Sequence, residues 1–353
     1  MRNRIPPVPK RFKKVRGEER IQEAFENIPR ITNETVAEHR EDVLKGARKY
    51  KYPLAHSKHR IVIISTTLIV LALIGFFVYT SLALYRFQTT SAFMYRVTQV
   101  LPFPVAKAGK HFVAYENYLF EIRRYEHYYQ TQQRVDFGSK DGKRQLDRYK
   151  PVALKEVTDA AYVKQLAAKY HVSVSNTEVN SAIDALRAQN HSSAQELADV
   201  TNKFFGWSID DLKREVKQEL LAQKVAAKLD TATQATAVNV LQQLRGGADF
   251  NTLVAQYSQA GDKANNAGQY ADMAITSAST TVPPAVVRQL QRMQVGDVSD
   301  VIEAGNTLEI VKLTANNSGK MTAQHISFNL QPIDHYISDY KKSHAQHTYI
   351  KVD

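Results

Sequence analysis

IVIISTTLIVLALIGFFVYTSLALY, residues 61 to 85, decides how the rest of this chain is read. Over twenty-five residues it contains no Asp, Glu, Lys, Arg or His. As a helix it would span roughly 37 Å, enough to cross a ~30 Å hydrocarbon core with some tilt. Tyr79 and Tyr85 lie towards its end and Arg86 closes it, as aromatic and cationic residues do at a membrane interface. The competing interpretation is the core helix of a soluble domain, but such helices carry a polar stripe and this run has none. The sequence predicts one membrane span that divides the protein.

Charge gives the span a direction. The 353 residues carry a net charge of +12. Residues 1–60 hold sixteen Lys or Arg against eight Asp or Glu, so most of the excess lies immediately before the span. The positive-inside rule then predicts a basic cytoplasmic segment, 1–60, and an extracytoplasmic C-terminal part. The apolar run exceeds the 7–15-residue core of a cleaved signal peptide and no small-x-small cleavage site is obvious, which points to an uncleaved anchor. Cysteine is absent, excluding a disulfide framework and Cys-ligated metal. Residues 1–20, MRNRIPPVPKRFKKVRGEER, read as a solvated tail. No RNA- or DNA-binding fold surrounds the positive charge, so nucleic acid is not an expected partner. Ile21, Ala24, Phe25 and Ile28 fall at helical spacing, and a second helix is expected from Glu34 to about Tyr50, capped by Asn33 or Thr32.

Beyond the span, residues 86–104 read as a linker ending in Leu101-Pro-Phe-Pro104, stiff and extended. A mostly helical region follows, 105–232. Asn117–Tyr129 is expected to be helical, 136–143 a loop, and Pro151 the first position of a helix with Val163, Leu166, Ala167 and Tyr170 on one stripe. Ser175-Asn-Thr-Glu178 is a capping box; Ser193-Ala-Gln-Glu196 and Ser208-Ile-Asp-Asp211 are similar caps. Trp207, just before the last cap, is placed to act as a hydrophobic staple.

Three stretches of this region, PVAKAGKHFVAYENYL (104–119), AYVKQLAAKYHVSVSNTEVNSAI (161–183) and FFGWSIDDLKREVKQELLAQKV (204–225), resemble the N-terminal helical module of the SurA/PrsA/PpiD group of extracytoplasmic chaperones. Lys107-Ala-Gly109 stands where that family usually has Val-Asn-Gly.

From Thr233 the pattern changes. A helix through Val238, Leu241 and Leu244 ends at Gly246-Gly247, and Asp249 caps another with Phe250, Leu253, Val254 and Tyr257 on one face. A Gly/Asn-rich loop (258–269), a helix opened by Pro283-Pro284 and stopped by Gly296, and alternating runs at 298–302 and 308–313 complete it. GADFNTLVAQYSQAGDKANNAGQYADM (247–273) and QVGDVSDVIEAGNTLEIVKL (294–313) resemble a parvulin-type (PpiC-like) peptidyl-prolyl isomerase domain. That resemblance implies a four-stranded antiparallel sheet wrapped by helices, making the chain a membrane-anchored α+β protein.

The parvulin first strand, which carries a His, is missing before this region. A matching segment, Met321-Thr-Ala-Gln-His-Ile-Ser-Phe-Asn329, occurs instead at the far end, after the turn signal Asn316-Asn-Ser-Gly319. The reading is a domain spanning 233–330, circularly permuted, with 321–330 in place of the usual first strand. The alternative, the start of a second and truncated copy, leaves too few residues for a domain. Residues 331–353 are expected to be a short amphipathic helix, through Ile333, Tyr336, Ile337 and Tyr340, and a tail.

Prolyl isomerisation needs neither nucleophile nor metal, only an apolar seat for the ring and preference for the twisted amide. As the resemblance implies, the catalytic positions correspond to His325 and Glu309, the second standing where the family has a His. The substrate-binding positions correspond to Ala260, Tyr270, Met273, Val282 and Val286. One His lost and a smaller aliphatic pocket imply weak or absent isomerisation. A hairpin symmetric about Asn317 would set Glu309 directly opposite His325, ~5 Å apart at Cβ. That contact either replaces the usual His pair or is an ordinary cross-strand pair.

His335, His344 and His347 lack the spacing of a metal site, and neither a phosphate loop nor a nucleophile elbow is present, so no cofactor and no metal are expected. The tyrosines clustered between 115 and 149 suit either a peptide cradle or helix packing. The expected function is a membrane-anchored foldase or chaperone binding unfolded, proline-containing polypeptides. The alternative is a non-catalytic bitopic scaffold that links cytoplasmic and envelope partners.

Overall fold

The computed structural model describes residues 32–51, 54–261, 267–271 and 274–352. The expected basic tail and the helix through Ile21 and Ile28 lie outside the described residues. Two compact units are present, 1–78 and 79–353.

In the first unit, α1 (Asn33–Lys51) starts where Thr32 and Thr35 each bond the other's backbone N–H through their hydroxyls, a reciprocal cap. The next helix, α2 (Leu54–Ser81), carries the apolar run. Ile61, Leu68 and Leu73 are 61%, 62% and 54% exposed. None of its apolar window is covered by protein, the opposite of a soluble core helix. It is long and apolar enough to be a membrane anchor or a signal segment.

The second unit opens with a π-helical turn, Leu82–Arg86, whose Leu84 is fully buried. The expected linker contains a helix, α3 (Ala92–Val100), because Ser91 caps it by accepting from the Met94 N–H and Met94 and Thr98 supply a buried edge. Pro104 begins β1 (Pro104–Ala108), which turns at Gly109 into β2 (His111–Ala114). Then come α4 (Tyr115–Gln133) and α5 (Lys140–Lys169). The latter begins eleven residues before Pro151: Ser139 accepts from the Gly142 N–H, and the stripe Leu146, Ala153, Leu154 and Val157 carries the helix through the proline. The three caps read from the sequence open α6 (Asn176–Gln189), α7 (Ala194–Phe205) and α8 (Ile209–Leu229), each as a complete capping box. Trp207 stacks on Phe120 of α4, ring centroids 5.2 Å apart, and so ties α4 to the α7–α8 corner.

Helices α9 (Thr231–Arg245), α10 (Phe250–Tyr257) and α11 (Pro284–Leu290) then surround a sheet of β3 (Ile302–Glu303), β4 (Thr307–Asn317) and β5 (Lys320–Asn329), in the order β3-β4-β5. Period-two alternation assigns the faces. Leu308, Ile310, Ile326 and Phe328 pack with Val240, Phe250, Leu253 and Val254 on one side. Val311, Leu313, Met321 and Ala323 pack with Ile275, Val286 and Leu290 on the other. The expected fourth strand is reduced to isolated bridges, Gln269 with Gln324 and Ile275 with Met321, along the outer edge of β5. Ala267 and Gly268 both have positive φ there, which breaks the extended run.

The C-terminal segment then returns to the helical module. Helix α12 (Ile333–Ser343) packs on α5 and α8, and β6 (Gln346–Thr348) pairs antiparallel with β1, giving a second sheet, β2-β1-β6. Ile337 and Ile350 share a core with Tyr115, Leu119 and Tyr162, and the Tyr162 hydroxyl donates to the His344 carbonyl at 2.6 Å. The residues expected to form a tail are therefore structural. Ile337→Ala should cost about 2–5 kcal/mol by leaving a cavity. Thermal unfolding of the full chain in detergent, followed by Trp207 fluorescence, should show a lowered midpoint; an unchanged transition would separate α12 from that core.

Candidate functional site

Strands β4 and β5 are joined by Ser318-Gly319, both at positive φ (52° and 87°), the geometry of a type I′ hairpin. The turn closes on Asn317 and Lys320, and an irregularity between Leu313 and Ala315 adds one residue to β4. The register is therefore Glu309 opposite Ser327 and Val311 opposite His325, not Glu309 opposite His325. Glu309 and His325 are diagonal neighbours on one face. They still meet: His325 Nδ1 lies 2.9 Å from Glu309 Oε2, with side-chain exposures of 8% and 5%.

Two hydroxyls complete the carboxylate's shell. Ser327 Oγ donates to Glu309 Oε1 at 2.8 Å, and Thr307 Oγ1 donates to the same oxygen at 2.9 Å. Ser327 is itself fixed by its backbone, which donates to Ser258 Oγ at 3.2 Å and accepts from the Gln259 N–H at 2.7 Å. The Tyr270 ring stacks on the His325 imidazole, centroids 4.0 Å apart and 25° from parallel. Beside them the Gly268 carbonyl accepts from the His325 N–H at 2.7 Å. A Cβ on Gly268 would sit 2.6 Å from the His325 carbonyl oxygen, so only glycine lets this loop cross β5.

Of the expected site residues, Glu309, His325 and Tyr270 come together. Val282 and Val286 lie in the packed cluster beneath, with Val311 and Leu313, as core rather than pocket wall. Ala260 is half-buried on the loop after α10, its N–H 3.4 Å from Ser258 Oγ. Met273 lies outside the described residues. Sequence reasoning missed Ser327, Thr307 and Ser258. Alternation alone pointed to the first two, since they share a strand face with His325 and Glu309.

Two cavities lie away from this network. A cavity of about 400 Å³ sits in the helical module, with walls from α4, α5, α8 and α12. A second, of about 630 Å³, lies between α6 and α8 on one side and Pro283, Pro284 and Gly305 on the other. Neither is lined by Glu309, His325 or Tyr270. The first is charged: Arg124 pairs with Glu121 at 2.7 Å and Glu156 at 3.4 Å, and Arg214 grips Glu116 with two nitrogens at 2.7 and 3.1 Å. Burial pushes the Glu215 carboxyl up to about 6 and Lys164 downward. Among the described residues no group of three or more His, Asp or Glu side chains is arranged to hold a metal ion.

Comparison with known proteins assigns both halves. Residues 55–226 match the SurA-like N-terminal domain family, and residues 216–315 match the PPIC-type PPIase (rotamase) domain family. Together these matches support a SurA/PrsA-type parvulin-domain architecture for residues 55–315. It is 31% identical over 119 residues to Chaperone SurA of Albidiferax ferrireducens, covering 32% of this chain and 26% of that protein. It is 21% identical over 224 residues to Chaperone SurA of Legionella pneumophila, covering 49% and 51%. The chain thus spans about half the length, or less, of the curated relatives it matches.

The Glu309 network yields a measurable coupling. Removing either partner strands a buried polar group, at about 1–3 kcal/mol each. A double-mutant cycle of Glu309→Gln and His325→Ala should give an interaction energy above about 0.5 kcal/mol, read from denaturant midpoints. A coupling near zero would mean that the two side chains act independently.

Proposed function

We propose that this protein is a membrane-anchored, extracytoplasmic chaperone that holds unfolded polypeptides in its helical module, with a PPIC-type domain that binds peptide and isomerises proline weakly. One observation carries the reading. Two cavities lie in and against the SurA-like module, while the isomerase-like pair Glu309–His325 is buried and engaged in hydrogen bonds within its own hairpin. A catalyst for an extended substrate needs its polar groups facing a trough.

In this reading residues 1–60 are cytoplasmic, 61–85 cross the bilayer and 86–353 face outward, supported by the basic flank before the span. The PPIC-type domain is a permuted parvulin in which β5 stands for the usual first strand. Two facts support this: β5 follows β4 through a tight turn, and the family match ends at 315, before β5 begins. A catalytic reading is favoured by one feature, the meeting of Glu309, His325 and Tyr270 on one face of the sheet.

Two measurements on the full chain in detergent decide between them. The chain should suppress aggregation of a denatured protein, and His325→Ala should leave that unchanged. Relaxation of a proline peptide should stay near the ~10–100 s of the unaided reaction. Acceleration by orders of magnitude that disappears in His325→Ala would establish the enzyme instead. Protease added outside intact cells should leave residues 1–60 uncut; cleavage there would reverse the topology.

A further inference from the structure

The cavity of about 400 Å³ in the helical module, at the lower end of the range for ligand clefts, has an apolar floor and charged walls. The floor is Val113 of β2, Val157 and Val163 of α5, Leu221 of α8 and Ile337 of α12. Six carboxylates and three cations line it, in a chain whose overall charge is strongly positive.

Most of these charges are already engaged. From α4, Glu121 holds Arg124, which also reaches Glu156 of α5. From α8, Arg214 is occupied by Glu116 of α4. Asp159 of α5 takes both Lys155 and Lys341 of α12, and Asp334 of α12 takes Lys155 at 3.4 Å. Glu219, exposed at the rim of α8, accepts from the Gln223 amide.

Glu215 of α8 is different. Its hydrogen-bond partner is the neutral Gln218 amide at 2.7 Å, and among the described residues no cation stands within ion-pair distance of it. Lys164 of α5 likewise forms no ion pair among the described residues. Burial dominates at Glu215, reinforced by repulsion from Glu121 and only partly offset by Arg124 and Arg214. An ionised carboxylate held half-buried with no partner inside ion-pair distance, and with Arg124, Arg214 and Lys164 acting on it only from further away, is poorly compensated. An uncharged Gln has the same shape without the desolvation cost of a charge, which sets Glu215 apart from the paired carboxylates of the cavity.

We propose that this cavity is a subsite for a lysine or arginine side chain of an unfolded polypeptide, its aliphatic stem on the apolar floor and its cationic head on Glu215. The inference rests on the chaperone reading and gives it a residue preference. The excess of carboxylates selects a cation over an anion. The exposed ring of Phe112 at the rim offers apolar contact to a neighbouring residue of the same segment. A seated cation favours the ionised form of Glu215, so binding expels its proton. Affinity therefore rises with pH through about 6 and levels off above.

The test uses the full chain in detergent micelles and two fluorescent peptides of Gly, Ser and Phe, one with a central lysine and one with norleucine there. At pH 8 the lysine peptide should bind roughly tenfold tighter by anisotropy. At pH 5, and in Glu215→Gln at either pH, the preference should fall below about threefold. Glu215→Gln should also melt at a higher temperature than the parent at pH 8, where a purely structural Glu215 would make it melt lower. Equal affinities at pH 8, or a preference that survives Glu215→Gln, overturns the subsite while leaving the chaperone reading intact. Binding of neither peptide overturns the chaperone reading and this inference with it. N-acetyl-lysine amide should compete only weakly; if it displaces the peptide at comparable affinity, the cavity is a small-amine site instead. The lysine–norleucine comparison uses the unmodified chain and so stands even if the variant does not fold.

Discussion

Two residues at positive φ, Ser318 and Gly319, determine which side chains meet at the centre of the PPIC-type domain. A type I′ turn twists with its strands and admits only certain pairings beyond it. Here it closes on Asn317 and Lys320, and the extra residue of β4 near Thr314 shifts the ladder once more. Because side chains alternate, every inward position then follows: Glu309, Val311 and Leu313 share a face with His325, Ser327 and Ala323. Had the turn been centred on Asn317, Ser327 would stand opposite Thr307. In the observed register Ser327 stands opposite Glu309 and joins Thr307 and His325 around its carboxylate.

That shell explains how a carboxylate survives in a nearly closed site. A buried charge is tolerable when its lone pairs are met by donors at good geometry, and strongly unfavourable otherwise. The donors come from both strands of a single hairpin, so loop-closure cost is small and the network forms with the turn. Beneath the network, Val282 and Val286 are spent on packing against Val311 and Leu313.

Local chemistry was legible in the sequence, while tertiary competition was not. The three Ser caps and Asp249 each depend on neighbours within four residues and formed as read, while the Asn316–Gly319 signal gave a turn one residue later, closed by Asn317 and Lys320. The apolar run from Ile61 was readable for the same reason, since hydrophobicity needs no partner to be counted. Errors arose where distant contacts decide. Pro151 looked like a helix start because the buried stripe on its N-terminal side, through Leu146, has meaning only against α4. The segment 346–348 has no strand signature of its own and becomes one because β1 leaves an edge unpaired. At the site, His325 and Glu309 were found through a resemblance, but their diagonal relation depended on a bulge that no local pattern announced.

The helical module and the sheet domain treat charge in opposite ways, and the difference bears on where the protein meets its surroundings. Around Glu309 the donors His325, Ser327 and Thr307 all come from the same hairpin. Around Glu215 the guanidinium groups are already committed to Glu121, Glu156 and Glu116, and Lys164 acts on the carboxylate only from beyond ion-pair distance. The wall that completes this cavity is α12, which arrives only after the chain has passed through the whole sheet domain. A chain that ended at Asn329 would have the hairpin but not the cavity. The cavity is therefore complete only once residues 333–343 have been made, and a chain lacking residues 330–352 would present neither α12 nor β6 to this core.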